Sequence, residues 1–156
     1  MTVMNDLVNE MFYTFARFEY ALKATGFIKN TDDAKPDWTK FANSISPLFD
    51  NHDDPDVKSA VEFIFADPPN KQVVRDGRLE WRNADSGTVN CCDSLLIFVR
   101  RIRNNLFHGG KFTGQHLENG DWSKLNERDE ELVRHSICIL KACLIASPSL
   151  QAAYDH

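Results

Sequence analysis

The chain has 156 residues, of which 42% are hydrophobic and 26% charged, with 7 Gly and 6 Pro. That length suits one domain, residues 1–156, with its own core, and the composition excludes disordered and collagen-like chains. A net charge of −5 argues against a protein that coats nucleic acid non-specifically, but leaves room for a local basic site.

The first expected element is a helix in which Met4, Val8, Met11, Phe15, Phe18 and Leu22 recur at spacings of three and four. Gly26 is placed to end it, with Phe27 folding back onto the last turn. Trp38, Phe41, Ile45 and Leu48 predict a second helix from about Asp37 to Phe49, distorted near its end by Pro47. Asp54 is the expected cap of a third helix and Pro55 its first residue, with Val57, Val61, Ile64 and Phe65 as its buried stripe.

The period then changes. Residues 71–82 alternate, with Val73, Val74, Leu79 and Trp81 around Asp76-Gly77, a dipeptide suited to a two-residue hairpin turn. A lone hairpin is marginal in water, so this one must lean on the helices. Ser86 or Thr88 is the expected cap of the next helix, which runs to about His108 and buries Cys92, Leu95, Phe98, Val99, Ile102 and Leu106. A loop from Gly109 to Leu125 carries Gly110, Gly114 and Gly120. The last helix starts near Asn126, has Glu127, Asp129 and Glu130 at its positive end, and buries Val133, Ile137, Leu140 and Leu144 before Ser147-Pro148 stops it. The sum is an all-α fold, an antiparallel bundle of about five helices with a small inserted β-hairpin. No apolar run reaches the length of a bilayer span and no export signal is visible, so a cytoplasmic protein without a membrane partner is expected. Cys91, Cys92, Cys138 and Cys143 show no metal spacing and read as reduced, small apolar residues.

The fourth helix ends unusually. Residues 100–111 read RRIRNNLFHGGK, with four cations and no acid. At about 100° per residue, Arg103 borders the buried stripe on a flank shared with Val89, Leu96 and Phe107. Such a flank fits either a partner surface, such as a second copy of the chain, or a wide buried face. Asn104 and His108 lie four apart on one face, whereas Arg103 and His108 are about 140° apart around the axis and do not converge in one regular helix. The groups themselves suit phosphate chemistry. Arg is a planar fork for phosphate, a neutral His takes and returns a proton, and Asn orients a phosphate or hydroxyl. No carboxylate cluster stands near to hold a metal, so cofactor-free cleavage of RNA through its own 2′-hydroxyl fits better than metal-dependent hydrolysis. The alternative is that His108 merely interacts with the negative end of its helix.

The segment RNNLFHGG resembles the signature of the HEPN superfamily (higher eukaryotes and prokaryotes nucleotide-binding domains): Arg, a polar residue, three to five others, then His at the end of a core helix. Arg103, Asn104 and His108 match it residue by residue. The stretches RFEYALKATGF and PDWTKFAN also look like compact prokaryotic members carried on plasmids and in defence islands. The likeness spans most of the chain, and its specific part is the Arg-Asn-x-x-x-His core. The resemblance implies a metal-independent endoribonuclease acting as a toxin or in phage defence. It also implies a homodimer whose two motifs share one cleft, and an antitoxin protein as a further kind of partner. The family also contains inactive, scaffolding or merely binding members, so a non-catalytic module that binds nucleotide, RNA or protein is the alternative.

Further residues surround this core. Glu19 borders the stripe of the first helix and is placed either to hold Arg103 or to pair with Lys23. Arg100 and Lys111 are candidates to hold flanking phosphates, or are solvated cations. Arg75, Arg78 and Arg82 form a second basic strip, read as solvated, with an RNA-guiding role as the alternative.

Overall fold

A computed structural model describes residues 3–50, 53–111 and 125–156. The side chains of Met4 and Leu48, expected on two helix stripes, lie outside the described residues, as do Gly114 and Gly120 of the expected glycine-bearing loop. Among the described residues the fold is helical, with six helices and one two-stranded antiparallel sheet.

Helix α1 spans Val3–Ala24. It closes when the Phe27 N–H reaches back to the Leu22 carbonyl at 2.9 Å, and Phe27 then packs edge-on against Phe41. Helix α2, Trp38–Phe49, is capped by Asp37, whose carboxylate accepts from the Lys40 N–H at 3.0 Å; Pro47 is accommodated inside it. Helix α3, Pro55–Ala66, starts as expected, with Asp54 accepting from the N–H groups of Asp56 and Val57. Its outer edge differs from expectation. Phe65 is exposed, because the ring turns out to meet Phe98 edge-on at 6.0 Å instead of entering the core.

Strands β1 (Lys71–Arg75) and β2 (Arg78–Arg82) form the hairpin. Asp76 and Gly77 have φ of 50° and 75°, the two successive positive values that a type I′ turn requires. Helix α4, Cys91–His108, is capped by Asn90, whose side chain accepts from the Asp93 N–H at 2.8 Å. This corrects the expected cap. Thr88 Oγ1 instead accepts from the Asn90 N–H, and Ser86 bonds the Ser94 hydroxyl, so both shape the approach to the helix.

Helix α5, Glu127–Ala146, begins at the Asn126 cap and meets every other helix. Beyond Ser147 the chain does not stop being helical. Helix α6, Pro148–Asp155, turns 113° away from α5 and buries Leu150. Arg17 of α1 donates to the Ala153 and Tyr154 carbonyls, which have no partner within so short a helix. One apolar cluster joins all six helices. At its centre Phe18 stacks on Trp38 with centroids 5.1 Å apart and meets Phe41 edge-on at 5.6 Å. Burying an aromatic side chain of this kind contributes about 2–3 kcal/mol, with a further ~1 kcal/mol from ring geometry. Among the described residues, no single helix is long and apolar enough to cross a membrane.

Candidate functional site

Helix α4 presents two different surfaces. Its inner face buries Cys92, Leu95, Leu96, Val99, Ile102 and Leu106 in the core. On its outer face Ile97, Arg100, Arg101, Asn104 and His108 follow one another at spacings of one, three and four, and so share one sector of the helix. They line an open groove of about 560 Å³ together with Asn105 and with Lys71 and Gln72 of β1. Asn104 and His108 are exposed in it. Among the described residues, three cations line this groove and no carboxylate does.

The hairpin wall of the groove is fastened at its base. Arg101 donates to the carbonyls of Pro69 (3.2 Å), Ala84 (2.6 Å) and Asp85 (2.9 Å), tying both ends of the hairpin to α4. Asn105, buried, donates to the Asn70 carbonyl at 2.7 Å, and Gln72 donates to the Gly109 carbonyl at 3.2 Å. Gly109 is also a close approach. A Cβ there would stand 2.5 Å from the Asn105 carbonyl oxygen and 3.0 Å from the Trp81 ring. Arg100 lies along Trp38, 5.5 Å from its ring centroid, and its Nε donates to the Leu96 carbonyl of its own helix. Burial pulls its pKa below the ordinary arginine value; nearby Arg103 adds to this, while Asp93 and Glu19 oppose it. It remains a cation at neutral pH.

Arg103 is elsewhere. Its Nη2 donates to Glu19 Oε1 at 3.1 Å and its guanidinium lies over the Phe15 ring at 4.3 Å, on the side where α4 meets α1. Among the described residues its Nε is buried without an acceptor. Beside it, half-buried Phe107 meets exposed Phe12 edge-on at 5.9 Å. The flank predicted to be apolar is therefore divided: Leu96 is in the core, Phe107 is half-covered and Val89 is fully exposed. Within one chain, Asn104 and His108 share a groove while Arg103 faces α1, with Arg100 between them.

Lys111 is set apart from both. Its ammonium lies over Trp81 at 4.3 Å and 3.4 Å from an Asp129 carboxylate oxygen. Sequence reasoning did not place Lys71, Gln72, Ile97 or Arg101 at the site. Ile97 and Arg101 were accessible from helical spacing to His108, whereas the two strand residues arrive only through folding. No group of three or more described His, Cys, Asp or Glu side chains could hold a metal ion.

A larger depression of about 780 Å³ lies near Val57, Ile137 and Ile145, but it is mainly apolar and holds none of the motif residues. No family model matches the chain, and neither the curated proteins nor the solved structures contain a match.

Proposed function

We propose that this chain is a HEPN-like, metal-independent endoribonuclease that works as a homodimer, with Arg103, Asn104 and His108 as its reactive set. The observation that supports this reading is the groove itself: an exposed imidazole and amide among Lys71, Arg100 and Arg101, with no carboxylate among the described residues of its lining. Such a lining favours an anionic ligand and repels neither a phosphate nor its transition state.

In this reading His108 removes the proton of an RNA 2′-hydroxyl. The 2′-oxygen attacks the adjacent phosphorus and the P–O5′ bond breaks. The proton then returns to the 5′-oxygen, leaving a 2′,3′-cyclic phosphate. Asn104 orients the phosphate, and a guanidinium neutralises charge as it develops on the phosphorane. Because Arg103 does not face the His108 groove of its own chain, that guanidinium comes from the second copy. The reading therefore requires the two copies to pair so that Arg103 of each approaches the His108 groove of the other, an isologous arrangement. Glu19 is then the positioning carboxylate for Arg103. The biological role would be that of a toxin or phage-defence effector, with an antitoxin protein as a further partner.

The test is cleavage of RNA in excess EDTA. Expected products are 2′,3′-cyclic phosphates, DNA survives, and His108→Ala slows the reaction by about 10²–10⁴-fold. Cleavage by His108→Ala at the parent rate excludes the assignment. One observation favours a second reading, a non-catalytic RNA- or protein-binding module: the Arg103 guanidinium is already paired with Glu19. That reading requires wild type to leave RNA intact in EDTA and to spare host growth. The ribonuclease reading requires growth arrest that Arg103→Ala and His108→Ala both relieve.

A further inference from the structure

The hairpin carries more positive charge than its fold uses. Its register sets Lys71 opposite Arg82 and Arg75 opposite Arg78. Like charges directly across a strand pair are destabilising, and here it happens twice in a five-residue ladder. Because side chains alternate, Lys71, Val73, Arg75, Arg78, Glu80 and Arg82 share one face, four cations to one acid. Gln72, Val74, Leu79 and Trp81 share the other. That other face is the one seated on α4, through the Gln72–Gly109 bond and the approach of Trp81 to Gly109. All four cations are exposed, and none forms an ion pair among the described residues. Lys71, at the base of the cationic face, also lines the groove that contains His108.

We propose that this face is a phosphate track for single-stranded RNA, guiding the strand into the His108 groove; the identity of its ligand rests on the ribonuclease reading above. The two cationic pairs stand about 13 Å apart along the ribbon, at ~3.3 Å per residue. A discrete anion relieves one pair, whereas a chain of phosphates relieves both. A single strand suits the ribbon better than a duplex. A β-ribbon reads a duplex by entering the major groove, and that groove is deep and narrow in A-form RNA. With only Val73 and Glu80 between the cations, the face contacts backbone and not base edges, so guidance is sequence-tolerant.

The experiment measures binding and cleavage separately in the full chain. Arg75→Thr, Arg78→Thr and Arg82→Thr together remove three cations and keep strand-forming residues. For a labelled oligouridylate of about 20 nucleotides, the slope of log affinity against log salt should flatten by about 2 units, at ~0.7 per lost phosphate contact. Cleavage efficiency on that oligonucleotide should fall at least about tenfold more than on the dinucleotide UpA, which is too short to reach the ribbon. A second variant, Glu80→Gln, removes the one acid on the face and should tighten binding. An unchanged slope in the triple variant, unchanged or weaker binding by Glu80→Gln, or an equal loss on both RNAs each overturns the track. Preference for a duplex of matching sequence overturns the single-strand assignment. A flattened slope in the triple variant with a wild type that never cleaves overturns the ribonuclease reading and leaves the track standing. Intact cleavage with no slope effect does the reverse, and a wild type that binds no RNA at low salt overturns both.

Discussion

The Arg103 guanidinium belongs to α1 as much as to the helix that bears it: Nη2 donates to Glu19 Oε1 at 3.1 Å while the plane covers the Phe15 ring. Both partners are about one-quarter exposed, so the pair sits at the edge of the core. Its stabilising effect is therefore small, about 1 kcal/mol or less, and its consequence is orientation.

Glu19→Gln tests that separation. The melting temperature should fall by no more than about 2–4 °C, the shift that ~1 kcal/mol produces in a domain of this size. RNA cleavage efficiency in EDTA should fall about tenfold, mainly in kcat, because the guanidinium loses its direction. Recovery by Glu19→Asp would mark a positioning carboxylate. Unchanged cleavage with a lowered melting temperature would leave Glu19 with a structural role alone.

A composite site has a genetic signature. Arg103→Ala and His108→Ala are each expected to be inactive alone. Mixed at equal concentration and allowed to exchange subunits, they should recover about one-quarter of parent activity, since half the dimers are mixed and each restores one of two sites. No recovery at any mixing ratio would show that both groups must come from the same chain.

The seat of the hairpin is Gly109. Gly109→Ala drives a Cβ into the Asn105 carbonyl and the Trp81 ring. The expected cost is about 1–3 kcal/mol, with faster tryptic cleavage at Arg75 and Arg78 as the ribbon lifts. Equal trypsin sensitivity in parent and variant would show that the ribbon does not depend on this contact.

The cap of α4 is Asn90 and not its neighbours. Asn90→Ala should cost about 1 kcal/mol in a denaturant melt, by leaving the Asp93 N–H without its acceptor. Thr88→Ala, which loses only the bond from the Asn90 N–H, should cost less. The opposite ranking would return the cap to Thr88.

The cysteines differ in reactivity although all four are free. Burial, reinforced by the charges of Asp50, Asp93 and Cys91, pushes the Cys92 thiol up to about 12 from 9.0. Burial also raises Cys143, while Cys91 is exposed. Iodoacetamide at mildly alkaline pH should modify Cys91 and leave Cys92 and Cys143 until the chain unfolds. The linkage has a definite sign. The unfolded thiol ionises first, so the stability contributed by a protonated Cys92 is complete below about pH 9 and lost as the pH rises toward 12. A folding stability flat across that window would contradict it.

Much of this fold is legible because its causes are local. Three- and four-residue periodicity places most of the described stripe residues of α1 to α5, Phe65 excepted, Asp54-Pro55 begins α3, and Asp76-Gly77 makes the turn because its φ values are a property of those two residues. Helix α6 escapes this reading. It has eight residues, and its stripe of Leu150, Ala153 and Tyr154 is too short to stand out from a tail until Arg17 caps it from 130-odd residues away in the chain, an ordering no local pattern contains. The cap of α4 was ambiguous for a similar reason. Ser86, Thr88 and Asn90 all have capping chemistry, and the choice follows from where the chain passes α2, with the Asn90 amide donating to Asn43.

For the site the division is sharper. By itself the sequence determined that Asn104 and His108 share a face, that Arg103 does not, and that cations accumulate near the end of α4, because helical geometry converts spacing directly into direction. Only the tertiary structure decided what each cation does. Arg101 is consumed by three carbonyls at the hairpin ends, Lys111 by Trp81 and Asp129, and Arg103 by Glu19, while Lys71 enters the groove from a strand. A guanidinium or ammonium has the same reach and charge wherever it stands in a chain. Its role is set by the acceptors that folding brings within about 3 Å, and those come from distant segments.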